Sequence, residues 1–220
     1  MTVTNIRNAR ETKSVVEIDP NKEYFLAGDI SASMSVVDAA CNGLTRYQYM
    51  LESFQSFIKT AEDFDEHGAP TVILFGAKVQ VYEHAKLDTI NALLQNPQFE
   101  GLTNIDLVIE AAWKKHCEEK TEAKSDGKNH PGSVLLVFTD GAPTNRAAVE
   151  RAIVKIAGTV ESDTEFNITF LTVGTQDDNL KRYLNDLHEN LEISRTKYDI
   201  FHVERLENTD FLAAATAVNH

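Results

Sequence analysis

Cysteine is nearly absent: Cys41 and Cys117 are the only two in 220 residues. Two thiols make no disulfide framework, and without a CxxC pair they suggest no zinc site. No apolar run approaches the roughly 18 to 20 residues of a membrane span, and residues 1–21 are polar rather than leader-like. Basic residues are the minority, 21 Lys and Arg against 34 Asp and Glu, for a formal net charge of -13. Such a chain repels a phosphate backbone, which argues against non-specific nucleic-acid binding, and it attracts cations. GxSxG, GxGxxG and P-loop motifs are missing, and the seven histidines form no HxxxH or HExxH group. Serine-hydrolase, dinucleotide, nucleotide and transition-metal readings therefore lose their usual anchors. Together these absences predict a cytoplasmic protein with reduced thiols and neither membrane nor nucleic acid as partner. The glycosylation sequon Asn167-Ile168-Thr169 lies inside an apolar strand-like run, where a glycan has no room.

What is present looks globular: 42% hydrophobic and 25% charged residues. The length predicts one domain, 22–220, behind a polar N-terminal extension, 1–21. Apolar runs at 24–27, 71–75, 133–138, 166–173 and 198–203 read as strands, with 79–82 forming a hairpin partner to 71–75. Between them lie amphipathic stripes. Tyr47, Met50, Leu51, Phe54, Phe57, Ile58 and Ala61 make one; others fall at 87–94, 104–116, 149–160, 180–191 and 211–218. Residues 118–132 mix charges with Ser, Gly and Pro and read as a surface loop. Strands apolar throughout must be covered on both faces, and alternating helices supply that cover. The expected architecture is α/β: a doubly wound, mostly parallel sheet with one antiparallel edge strand, in a three-layer sandwich.

In such sheets the functional crevice lies beyond the carboxyl ends of the strands. Two runs stop at an aspartate there, giving Asp29-Ile30-Ser31-Ala32-Ser33 and Asp140-Gly141. A third polar point, Gly101-Leu102-Thr103-Asn104, opens a helix. Asp29, Ser31, Ser33, Thr103 and Asp140 thus offer two carboxylates, three hydroxyls and no nitrogen or sulfur. Such a donor set suits a hard divalent cation, Mg²⁺ first, with Mn²⁺ or Ca²⁺ as alternatives. Two carboxylates balance the dication, and neutral hydroxyls fill positions without quenching its attraction for one more ligand. Each piece also has a plainer reading: Asp and Ser are common at turns and N-caps, and Thr103 with Asp106 is a capping arrangement. Cys41 reads as a small packing residue, Trp113 as the anchor of its helix on the sheet, and Arg46 with Tyr47 as supports of the metal loop or as lining of the partner surface.

The DxSxS sequence, the later Thr and the strand-ending Asp resemble the metal-ion-dependent adhesion site of the von Willebrand factor A family. The resemblance covers residues 22–218 and extends to Met34 and Phe138-Thr139-Asp140-Gly141. It implies that Ser31 and Ser33 bind the ion directly, while Thr103 and Asp140 exchange direct contact. Only Asp38 lies near where some relatives carry an acidic pair for a second ion, so one metal site is expected. The function implied is a non-enzymatic module whose cation is completed by a partner's Glu or Asp. The chain is more similar to stand-alone intracellular bacterial members than to extracellular adhesion proteins. The enzyme alternative is a Mg²⁺-dependent phosphatase of the haloacid dehalogenase type. That motif needs a second carboxylate two residues after the first, where this chain has Ser31.

Overall fold

The computed structural model describes residues 14–19, 21–62, 69–193 and 196–213. A six-stranded sheet runs in the order β4-β3-β2-β5-β6-β7. Its strands are β2 (Glu23–Asp29), β3 (Thr71–Phe75), β4 (Val79–Tyr82), β5 (Ser133–Thr139), β6 (Phe166–Thr172) and β7 (Phe201–Arg205). All neighbours are parallel except β3 and β4, which form the antiparallel edge. The expected fold class is the observed one.

Side chains alternate along each strand, so each face of the sheet collects its own core. Phe25, Ala27, Leu135, Val137, Ile168 and Phe170 face one core. It is covered by α3 (Ile105–Ser125), α4 (Arg146–Ala157) and α5 (Asp178–Ile193). Leu26, Val72, Leu74, Leu136, Phe138 and Leu171 face the other, under α1 (Arg46–Glu62) and α2 (Leu87–Gln95). Phe54 of α1 meets Phe138 edge-to-face at 4.8 Å, an arrangement that adds about 0.5–1.5 kcal/mol to plain area burial. Trp113 does anchor α3, its ring edge-on to Phe166 at 5.3 Å. Cys41 is fully buried. Among the described residues, no helix is long and apolar enough to cross a membrane.

Three elements differ from expectation. The segment 118–125, expected as loop, continues α3 to Ser125. Most of its residues are polar because they face solvent, Glu119 being a half-buried exception, and Lys114–Glu118 and Lys115–Glu119 pairs four residues apart support the helix. The last sheet strand starts at Phe201 rather than 198. The Tyr198 hydroxyl instead donates to the Glu161 carbonyl, and pairing with β6 begins where the Ile168 N–H meets the Ile200 carbonyl. The helix expected at 211–218 is, over its described part, the strand β8 (Thr209–Ala213); residues 214–218 lie outside the described residues. β8 pairs in parallel with β1 (Ser14–Ile18), which lies within the stretch expected as a polar extension.

Candidate metal centre

The order of strands reverses between β2 and β5. From β2 the chain winds outward to β3 and β4, then returns on the other side through β5, β6 and β7. Loops leaving the carboxyl ends of β2 and β5 therefore diverge and leave a crevice. Asp29 is the last residue of β2, and Asp140 directly follows β5. Past Asp29, the Ile30 side chain is buried and a 3-10 turn covers Ala32–Ser35, pinned by buried Met34. The Ile30 N–H donates to the Phe75 carbonyl, and the Ile30 carbonyl accepts from the Glu100 N–H. The DxSxS loop is thereby fastened to the end of β3 and to the loop that precedes α3.

Four of the five expected residues form one hydrogen-bonded group. Asp29 Oδ1 accepts from the Ser31 N–H at 2.7 Å. The Ser31 and Ser33 hydroxyl oxygens lie 3.1 Å apart, and Ser33 Oγ donates to Asp140 Oδ1 at 2.9 Å. Thr103 is not hydrogen-bonded to this group; its backbone is tied to Thr144 instead. Its N–H donates to Thr144 Oγ1 at 3.0 Å and its carbonyl accepts the Thr144 N–H at 2.9 Å, in the loop beyond Asp140. Among the described residues, the Thr103 hydroxyl joins none of the hydrogen bonds linking the other four. Nor does Thr103 cap α3 with Asp106: Asn104 occupies the N-cap without a side-chain bond, and Asp106 Oδ1 is buried with no partner.

Asp29 is fully buried, and its surroundings strain its charge. Desolvation pushes its pKa up to about 6, against the pull of hydrogen bonds from Thr139 and Ser31, with the neighbouring Asp140 charge adding to the rise. A buried carboxylate held off its ordinary value by missing solvent is a group that a nearby cation would stabilise. With two serine hydroxyls and a second carboxylate beside it, the donor set fits a hard dication.

The sequence matches the von Willebrand factor type A domain over residues 29–213. The chain belongs to that family. This type A domain is similar in structure to the manganese-loaded TRAP protein of Plasmodium vivax, with a TM-score of 0.53, 11% identity, and coverage of 87% of this chain and 71% of that one. A second similar structure is an aerotolerance-related membrane protein from Bacteroides fragilis NCTC 9343 bearing multiple mutations to serines. There the TM-score is 0.43 with 16% identity, covering 89% of this chain and 92% of that one. No curated relative matches.

Around the motif of this type A domain lie contacts that sequence reasoning did not give. Thr139 Oγ1 donates to Asp29 Oδ2 at 2.7 Å, so the residue before Asp140 orients the carboxylate of the adjacent strand. Its place in the strand-ending Phe138-Thr139-Asp140 was a signal of proximity, though not of that bond. Asp38 forms no second acidic site; it builds a socket. It accepts the N–H of Ala40 at 3.0 Å, and both the N–H and hydroxyl of Thr175, at 2.8 and 3.0 Å. Arg46 Nε and Nη2 donate to its Oδ2 at 3.0 and 2.9 Å. The Thr175 N–H leads the hydrogen bonds that hold the Asp38 carboxyl well below its usual range, against the cost of burial. Arg46 Nη1 in turn reaches Asp140 Oδ2 at 2.7 Å. Burial depresses the guanidinium's pKa, and its bonds to Asp140 and Asp38 more than offset this, leaving it above the usual value.

One other group of metal-type donors occurs among the described residues, at the opposite ends of the strands. Glu23, Glu119 and His130 each bring a ligand atom within 4.8 Å of the others. The Gly132 N–H donates to His130 Nδ1 at 3.0 Å. The neutral ring therefore carries its proton on Nε2, the atom facing Glu23 Oε1 at 3.7 Å. That nitrogen offers a proton and no lone pair, so the trio suits a shared proton better than a metal.

Proposed function

We propose that this type A domain is a non-enzymatic, metal-dependent protein-binding module. Asp29, Ser31, Ser33, Thr103 and Asp140 would hold one divalent cation, Mg²⁺ first with Mn²⁺ next, at the crevice between β2 and β5. The observation that carries the reading is the oxygen-only cluster of Ser31 Oγ, Ser33 Oγ and Asp140 Oδ1, each within 3.1 Å of the next, beside a buried carboxylate with a raised pKa. Manganese in the structurally similar TRAP protein supports a dication of this type. Bound there, the cation supplies Lewis acidity toward an external ligand, and a Glu or Asp of a partner protein is the ligand we assign.

The chain's own residues do the rest. Ser31 and Ser33 present neutral oxygens, which leaves the cation's charge unquenched. Asp29, locked by Thr139 and the Ser31 N–H, anchors the loop. Thr103 sits on a loop tied to Thr144, so a shift of that loop and the Asp140 loop together is how ligand contacts would exchange. We assign the protein to the cytoplasm, a reducing compartment in which the thiols of Cys41 and Cys117 would stay unpaired. Nothing in the fold or the family match favours the phosphatase alternative.

Metal at about a hundredfold above its dissociation constant stabilises the folded state by about 2.7 kcal/mol. Thermal melts in Mg²⁺ or Mn²⁺ should therefore exceed those in EDTA by about 5 to 10 °C for a chain of this size. Ser31→Ala/Ser33→Ala should abolish the difference and remove acidic-motif partners from a pull-down. Equal melting points of the wild type with metal and with EDTA would defeat the reading.

A further inference from the structure

We propose that Arg46 is a built-in counter-ion of the candidate metal centre, and that by occupying Asp140 it limits how tightly the site takes a dication. The inference rests on the metal reading above.

Its guanidinium is divided between two carboxylates. Nη1 lies 2.7 Å from Asp140 Oδ2, while Nε and Nη2 hold Asp38 Oδ2 at 3.0 and 2.9 Å. Asp140 is divided in the same way: Oδ1 accepts from Ser33 and Oδ2 from Arg46. Only one oxygen of Asp140 is thus left on the serine side. Arg46 is the first residue of α1, with its side chain 17% exposed, so it is no freely swinging surface group. The socket is closed behind it by Gly174, whose φ is +75°; a Cβ there would stand 2.7 Å from both Arg46 Nε and Asp38 Oδ2. Asp38 is itself fixed by Thr175 and Ala40. Because the fork is held at its far end, its third nitrogen meets Asp140 with little further loss of rotamer freedom.

Charge arithmetic gives the direction of the effect. Asp29, Asp38 and Asp140 against Arg46 leave the region at a formal charge of -2 (three carboxylates and one guanidinium). A cation drawn to Ser31, Ser33 and Asp140 Oδ1 meets a fixed positive charge bound to the other oxygen of the same carboxylate. The two compete for one group and repel each other at short range, in partly buried surroundings where screening is weak. Loss of Arg46 therefore tightens metal binding. If Arg46 served only to position Asp140, its loss would weaken binding instead.

The test is calorimetric titration of the EDTA-treated, dialysed protein with MgCl₂ and MnCl₂, on the wild type and three variants. Arg46→Met removes the charge. Arg46→Lys keeps it without the fork. Arg46→Met/Asp38→Asn removes the guanidinium and neutralises Asp38, so the regional charge stays that of the wild type, and Asp140 keeps Ser33 on Oδ1 while its Oδ2 is freed for the cation. Circular dichroism establishes which variants are folded, and the double variant carries the test if Arg46→Met is not. We expect Arg46→Met and the double variant to bind at least about tenfold tighter, with Arg46→Lys close to the wild type. Equal or weaker binding by the double variant overturns it while leaving the metal reading intact. Absence of binding in all four proteins, to 10 mM metal (~10 mM, the upper end of useful titration), removes the metal reading and this inference with it.

Discussion

At the scale of single residues, the candidate centre depends on one hydroxyl outside the motif. Asp29 has no solvent, and its Oδ2 takes a hydrogen bond from Thr139 Oγ1 at 2.7 Å. Replacing Thr139 by Val keeps the shape of the side chain, removes the donor and leaves a buried carboxylate oxygen unsatisfied. Hydrogen bonds to charged groups contribute about 1.5–3 kcal/mol, so metal-free Thr139→Val should lose stability of that size in urea unfolding at pH 7. Thr139→Ser should recover most of it. A Thr139→Val variant as stable as the wild type would mean that Asp29 does not need this partner. Ser31, Ser33 and the two aspartates were legible because DxSxS and a strand-ending Asp are local patterns at places where the crevice rule expects chemistry. The Arg46–Asp38 socket was legible only in part. Arg46 stood out at the helix entrance, but its bonds cross from α1 to the loops after β5 and β6, and no spacing along the chain encodes such a meeting.

At the scale of elements, α3 shows how polarity misleads. Glu118 to Lys124 carry charges of both signs, which suggested loop, yet most are good helix formers on a largely solvent-facing stretch, where composition says little about backbone conformation. The extension of α3 also has a consequence for pH. It carries Glu119 to Glu23 at the start of β2 and to His130 before β5. Burial, then the hydrogen bond and charge of Glu23, push the Glu119 carboxyl up to about 7, with Lys115 and His130 pulling the other way. Its folded pKa is raised, so the folded state holds this proton longer than the unfolded chain does. The stabilisation is complete below the unfolded value of 4.5 and is lost as pH rises through about 7. Glu119 is half-buried, and solvent screening reduces the effect to about 1 kcal/mol. Urea midpoints of the wild type and Glu119→Gln at pH 5 and pH 8 measure it: the variant should gain on the wild type between the two. A gap unchanged with pH would show that Glu119 ionises normally.

At the scale of the whole molecule, the doubly wound sheet was legible because every long apolar run needed cover on both faces, and the helices between them carried matching stripes. The β1–β8 pair was not, for two physical reasons. A parallel ladder between residues near 14 and residues near 209 leaves no mark in local periodicity, and its five-residue strands are too short to stand out. The alanine-rich sequence from Phe211 onward, moreover, has high helix propensity, a weak prior that tertiary pairing overrides at Phe211–Ala213. Ser14 pairs with Thr209 and Ile18 with Ala213, so one short strand supplies the only ladder that β8 has among the described residues. Ile18 is buried in the core that also holds Tyr24, Leu206 and the apolar stripe of α1. Deleting residues 1–18 should therefore release β8 while leaving the central sheet closed. Hydrogen exchange of amides in Thr209–Ala213 should quicken by at least about tenfold, since each tenfold corresponds to only about 1.4 kcal/mol of lost local stability. Exchange in Ser133–Thr139, bonded on both sides by β2 and β6, should stay slow. Unaltered protection of Thr209–Ala213 in the shortened chain would show that β8 is held by α1 and not by its strand partner.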